Sequence, residues 1–211
     1  PTSTPPTNLT PWSKLHIDIC GPFATAPHNQ RFITVVIDQM SKFPEVLLSG
    51  EITSGRMITW LTELFARYGN PDVIVSDNGR QFISEEFRQF LQERDIKLWL
   101  TPVYNPQQNA QVETFNKYIK HGVQTFASAG KPFEKGIQEL LLNYRVTPMT
   151  SAEEAKSPAE LLLGRKIRPS YAPARGVEML KPPITERANN NYENIQSPIQ
   201  IRGPYKVDDM V

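Results

Sequence analysis

Residues 73–91 read Val73-Ile-Val-Ser-Asp-Asn-Gly-Arg-Gln-Phe-Ile-Ser-Glu-Glu-Phe-Arg-Gln-Phe-Leu91, and the fold turns on how the central Asp77-Asn78-Gly79 is taken. Asp-Asn-Gly between two apolar runs is a hairpin signal. The second run does not alternate, however. Ile83, Phe87, Phe90 and Leu91 recur at helical spacing, Ser84 can cap, and Glu85 and Glu86 fall in the first turn, where carboxylates suit the positive end of a helix. The unit is therefore strand, loop, helix. Val73 to Val75 is the short, wholly apolar strand expected when both faces are covered. Asp77 then stands at the carboxyl end of that strand, where open α/β sheets collect their ligands.

Upstream, Leu15, Ile17 and Ile19 alternate with His16, Asp18 and Cys20, and Arg31 to Asp38 and Glu45 to Leu48 supply two more β-rich runs, which together fit a meander. Thr53 or Ser54 can cap a helix carrying Met57, Leu61, Leu64, Phe65 and Tyr68 on one face, stopped by Gly69 and Pro71. Downstream, Ile96 to Leu100 reads as a strand. A long helix from about Gln107 to Phe126 turns Val112, Phe115, Ile119, Val123 and Phe126 inward, and further helices fit Phe133 to Tyr144 and Pro158 to Leu163. The order β-β-β-α-β-α-β, followed by helices, predicts an α/β domain with a five-stranded mixed sheet flanked by helices. Residues 1–11, with four prolines, read as an extended lead-in, 12–170 as the core, 171–204 as a linker or extension, and 205–211 as a returning strand.

With 211 residues, 39% of them hydrophobic, the chain suits one well-buried domain plus flanking material; no run approaches the roughly 18 apolar residues of a membrane span, so no membrane partner is expected. Beginning at Pro1 without a signal-like opening, it reads as a fragment. A single cysteine, Cys20, excludes a disulfide within the chain and a thiolate-rich zinc site, and makes a reducing compartment the default. The three histidines lack the close pairing of a zinc module, which leaves carboxylates as metal ligands. A net charge of +1 supplies no general field for nucleic acid, so any basic groups that bind DNA must be arranged locally.

Three acids draw attention, and each alone has a bland explanation. Asp18 can simply turn the first strand into Gly21-Pro22, Asp77 can belong to a hairpin, and Glu113 can pair with Lys117 on a solvated helix face. Together they say more. If the first and fourth strands are neighbours, the three carboxylates can meet at one rim of the sheet, a donor set suited to one or two hard divalent cations and to two-metal phosphoryl transfer.

At these residues the chain resembles the integrase catalytic cores of retroviruses and gypsy-like retrotransposons. Asp77 and Glu113 have 35 residues between them, the spacing of that family's D,D-35-E motif, and Ser76 to Phe82 (SDNGRQF) looks like its second-Asp segment. Tyr104 to Glu113 (YNPQQNAQVE) resembles its mobile loop and catalytic helix, while Trp12 to Asp18 and Asp38 to Glu45 agree in order, so the similarity covers about residues 11–170. The resemblance implies an RNase H-like fold, a homo-oligomer, and a nuclear enzyme (or one packaged in a particle) that trims element DNA 3′ ends and joins them to target DNA. It implies that Asp18, Asp77 and Glu113 ligate one or two Mg²⁺ or Mn²⁺ ions, that Lys117 and Lys120 contact phosphates, and that Tyr104, Gln107 and Asn109 lie in a loop positioning DNA. Ala110 stands where the family usually has Gly, and Thr114 where gypsy-like members commonly have Arg. The family's upstream His/His/Cys/Cys zinc domain is not in this sequence, and residues 205–211 resemble only the first strand of its small carboxyl-terminal barrel. Two other functions stay open at this point: a domesticated DNA- or protein-binding module without catalysis, and a different metal nuclease of the same fold.

Overall fold

The computed structural model describes residues 10–101, 110–149 and 155–169. The expected loop residues Tyr104, Gln107 and Asn109, most of the lead-in, the extension and the returning strand lie outside the described residues.

Five strands form one mixed sheet in the order β3-β2-β1-β4-β5. β1 (Lys14–Cys20), β2 (Phe32–Asp38) and β3 (Pro44–Ser49) make the meander, paired antiparallel with Asp18 opposite Val35 and Val36 opposite Glu45. β4 (Val73–Ser76) pairs parallel to β1, with His16 opposite Val75, and β5 (Lys97–Leu100) pairs parallel to β4. The helices are α1 (Ser54–Tyr68), α2 (Arg80–Ile83), α3 (Glu85–Gln92), α4 (Ala110–Ser128), α5 (Phe133–Val146) and α6 (Pro158–Leu163). The strand and helix order read from the spacing is thus found, and the five-stranded mixed sheet flanked by helices is the RNase H-like architecture that the resemblance implies.

The alternation in β1 divides the molecule into two layers. Leu15 and Ile17 point into a core with Val36, Ile74, α1 (Leu61, Leu64) and α3 (Phe87, Phe90). Cys20 points to the opposite face, where Ile33, Val35 and Ile37 meet α4 (Val112, Phe115, Ile119) and α5 (Ile137, Leu141). Because successive strand residues face opposite sides, Asp18 belongs to the α4 side. Covering both faces explains why β4 is apolar from Val73 to Val75. On this second face α4 and α5 cross closely at Gly136, where an added Cβ would lie 2.5 Å from the Phe126 ring.

One local expectation is corrected. Ile83 does not join the Phe87, Phe90 and Leu91 face: it ends the extra helix α2 and is 38% exposed, while Phe82 is fully buried. The reason is Ser84, whose extended backbone (φ −60°, ψ 148°) breaks the helical phase and whose hydroxyl caps α3 by accepting from Phe87 N–H. α1 is capped as expected, with the Thr53 side chain accepting from Arg56 N–H. Among the described residues no helix is long and apolar enough to cross a membrane.

Candidate active site

Parallel pairing makes β1 and β4 end at the same edge of the sheet. Continuing the His16–Val75 register by two residues sets Asp18 level with Asp77 and on the same face. The loop bearing Asp77 is tied down on its far side: Thr101 N–H and Oγ1 both donate to Ser76 O, at 2.9 and 3.1 Å, and Asn78 Nδ2 donates to Thr101 O at 3.2 Å. Asp77 itself is exposed and accepts from Gly79 N–H at 2.9 Å, an Asx turn that fixes one oxygen.

Asp18 is half-buried near the end of β1. One carboxylate oxygen accepts from Ile19 N–H at 2.8 Å and the other from Asn116 Nδ2 at 2.8 Å. Its pKa is raised above the usual aspartate range, first by burial, then by the negative charges of Asp77 and Glu113; the Ile19 N–H and the Lys120 ammonium act the other way. The charges of Asp77, beyond the end of β4, and of Glu113 and Lys120 on α4 therefore all reach Asp18. Glu113, Lys117 and Lys120 are all exposed on α4, and Lys120 is the cation whose field reaches Asp18. Lys117 lies about one turn before it.

Among the described residues no three His, Cys, Asp or Glu side chains are gathered into a group that could hold a metal ion. The donor chemistry nonetheless suits a hard cation. Asp18 is a half-buried carboxylate whose pKa is raised first by burial and then by the charges of Asp77 and Glu113, and a divalent ion bound there would offset that negative charge. Asn116 is the site residue that the sequence pattern did not single out. It is 6% exposed, lies three residues after Glu113, and keeps its Oδ1 buried without a hydrogen-bond partner. Its position beside the apolar stripe of α4, where a polar group that turns inward needs a partner, was the one available signal.

The Cys20 thiol, beyond Asp18 on the same face, is buried and has its pKa pushed up to about 12 by burial and then by the charge of Asp18, with Lys120 opposing. That is an inert thiol and not a nucleophile.

Residues 9–106 match the family model described as integrase core domain. An uncharacterized protein of Caenorhabditis elegans is 36% identical over 158 residues, 75% of this chain and 12% of that protein. The Gag-Pol polyprotein of avian reticuloendotheliosis virus is 28% identical over 158 residues, 74% of this chain and 13% of the polyprotein. The chain thus spans about an eighth of the length of these curated relatives. Of solved structures, a chain of the simian T-cell lymphotropic virus intasome superposes with a TM-score of 0.66 at 21% identity, covering 82% of this chain and 63% of that one. The HTLV-2 integrase catalytic core domain in complex with magnesium, in its dimeric form, gives 0.60 at 21% identity over 73% of this chain and 97% of that one.

Proposed function

Since the chain belongs to the integrase core family of retroviruses and retrotransposons, we propose that it is a divalent-metal-dependent polynucleotidyl transferase, which trims DNA 3′ ends in the nucleus and joins them to target DNA. Asp18, Asp77 and Glu113 would hold Mg²⁺ or Mn²⁺. The observation that carries the proposal is the parallel β1–β4 pairing, whose register sets Asp18 level with Asp77 on the face where Asp18 meets α4, the helix that bears Glu113. Three acids drawn from β1, the β4 loop and α4 offer the all-oxygen donor set that suits a hard divalent cation.

When bound, the metal supplies charge neutralisation of the phosphodiester and activation of a water or a 3′-hydroxyl. The chain's own residues do the rest. Asn116 holds Asp18 by its 2.8 Å hydrogen bond, so this carboxylate keeps one orientation. The Asx turn at Gly79 orients Asp77. Lys120 and Lys117, whose exposure on α4 supports the reading, would bind phosphate oxygens and hold a DNA strand beside the acids. Tyr104, Gln107 and Asn109 belong to the same proposal as DNA-positioning residues. The HTLV-2 core is described in dimeric and trimeric forms, and self-assembly of this chain is proposed by analogy.

Incubating the protein with branched integration-intermediate DNA and Mn²⁺, beside Asp77→Asn, tests the chemistry directly. Cleavage by the parent protein and its loss in the variant are expected. Equal behaviour of the two would favour a binding module without catalysis.

A further inference from the structure

Beyond Asp18, the chain turns at Gly21-Pro22 and leaves a cleft of about 380 Å³ between this turn and the second half of α4. That volume lies within the roughly 300–1,000 Å³ of small-ligand sites. Its lining includes Ile19, Phe23 and Val123 as apolar surface, Gln124 and Thr25 as polar groups, and Lys120 as its single charged residue.

We propose that this cleft receives the base of an unpaired nucleotide of the DNA strand engaged at Asp18. The proposal rests on the integrase chemistry of the preceding subsection and names a subsite for its substrate. Position favours it first. Ile19, in the lining, directly succeeds Asp18, and Lys120, also in the lining, stands on α4 about one turn beyond Asn116, which holds Asp18 at 2.8 Å, so acid site and cleft adjoin. A strand with one phosphate at the acids and the next at Lys120 directs a base between them into the cleft.

The chemistry of the lining agrees. Apolar side chains with one cation and no acid suit a flat, uncharged ring attached to a phosphate, and disfavour a free cation or a basic peptide. Gln124 and Thr25 can meet the polar edges of a ring, and a base inserted into the cleft has left its partner, so the occupant is unpaired.

One wall, moreover, is built in advance. Gly21 has φ +120°, and a Cβ there would lie 2.5 Å from the Arg31 carbonyl, so the turn hugs the start of β2 in a way only glycine allows. Phe23 N–H donates to that same carbonyl at 2.8 Å, and the Phe23 ring sits 6.0 Å from that of Phe133 on α5. A wall so held loses little freedom when a base packs on it.

The test compares a duplex oligonucleotide bearing one unpaired terminal nucleotide with the same duplex made abasic at that nucleotide. Binding to the full chain is read by fluorescence anisotropy without divalent cation, so no cleavage is required. The abasic DNA should bind roughly tenfold more weakly, the effect typical of losing one packed base. Thr25→Trp, at an exposed position on the rim, should fill the cleft and bring the ratio of the two affinities close to one. Equal binding of the two DNAs by the parent protein, binding of neither, or a Thr25→Trp protein that keeps the full ratio would each overturn the proposal. If the ratio holds but branched DNA is not cleaved, the catalytic assignment fails and the subsite stands.

Discussion

Replacing Asn116 by alanine separates positioning from packing at the candidate site. The Asn116 amide donates to Asp18 Oδ2 at 2.8 Å. A hydrogen bond to a charged group contributes about 1.5–3 kcal/mol. The same side chain keeps its Oδ1 buried and unsatisfied, a burden of about 1–3 kcal/mol that vanishes with it. The two effects offset to within about 1 kcal/mol, which for a chain of this size moves the melting temperature by only about 2–4 °C. Function should respond far more. Loss of a residue that orients a metal-binding carboxylate typically reduces metal affinity or activity by about 10–100-fold. The assay is a Mn²⁺ titration of branched-DNA cleavage, run beside a thermal melt of the same preparation. Asn116→Ala should need more Mn²⁺ and turn over more slowly while melting almost normally. An unchanged Mn²⁺ midpoint and rate would refute the positioning role. A melt that collapses with the activity would show that Asn116 acts through packing.

Asp18→Asn should stabilise the metal-free protein at neutral pH. A raised folded-state pKa means that the folded chain holds this proton more tightly than the unfolded chain, so stability falls as pH rises from the unfolded value, near 3.8, through the folded one. Melting curves in chelator should therefore converge for parent and variant in acid and separate toward neutrality; added Mg²⁺ should raise the melting point of the parent alone, and a parent indifferent to Mg²⁺ would contradict the metal assignment. Cys20, its pKa pushed up to about 12, should resist a thiol reagent at neutral pH until the chain unfolds, and modification of the folded protein at the rate of a free thiol would contradict its burial. Arg145→Met should destabilise by about 3–5 kcal/mol in denaturant titrations, because it leaves Glu45, with a side chain only 12% exposed, without the guanidinium 3.0 Å away. Adding Glu45→Gln should recover part of that loss, and a single-variant loss under about 1 kcal/mol would show the pair to be solvated.

The strands and helices are legible in the sequence because their apolar spacing is strong and their ends are marked: Thr53 and Ser84 cap, and Gly69 stops α1. Asp77 is separable from a hairpin only through the residues on its carboxyl side, since the helical spacing of Phe87, Phe90 and Leu91 rules out a returning strand. Ile83 falls on the wrong face in a reading by spacing because spacing cannot register a single extended residue, and Ser84 is that residue. The tie between Arg145 and β3, in which Nε and Nη2 both donate to Pro44 O, joins positions 101 residues apart. Nothing local to either residue announces it.

Asn116 shows where pattern reading stops. At about 100° per residue it falls between the apolar stripe of Phe115 and Ile119 and the face of Glu113 and Lys120, so helical phase alone allows it to meet either water or the sheet. The deciding partner is Asp18, 98 residues earlier in the chain. Asp18 in turn faces α4 only because β1 is central and pairs in one register with both β2 and β4. A slip of one residue in β4 would turn Asp77 to the opposite face and leave Asp18 and Glu113 without the third acid. The bonds from Thr101 and Asn78 across the end of β4 oppose that slip. The candidate site is therefore a property of strand register first and of its acids second, and substitutions that loosen the β4–β5 end should impair it without touching a carboxylate.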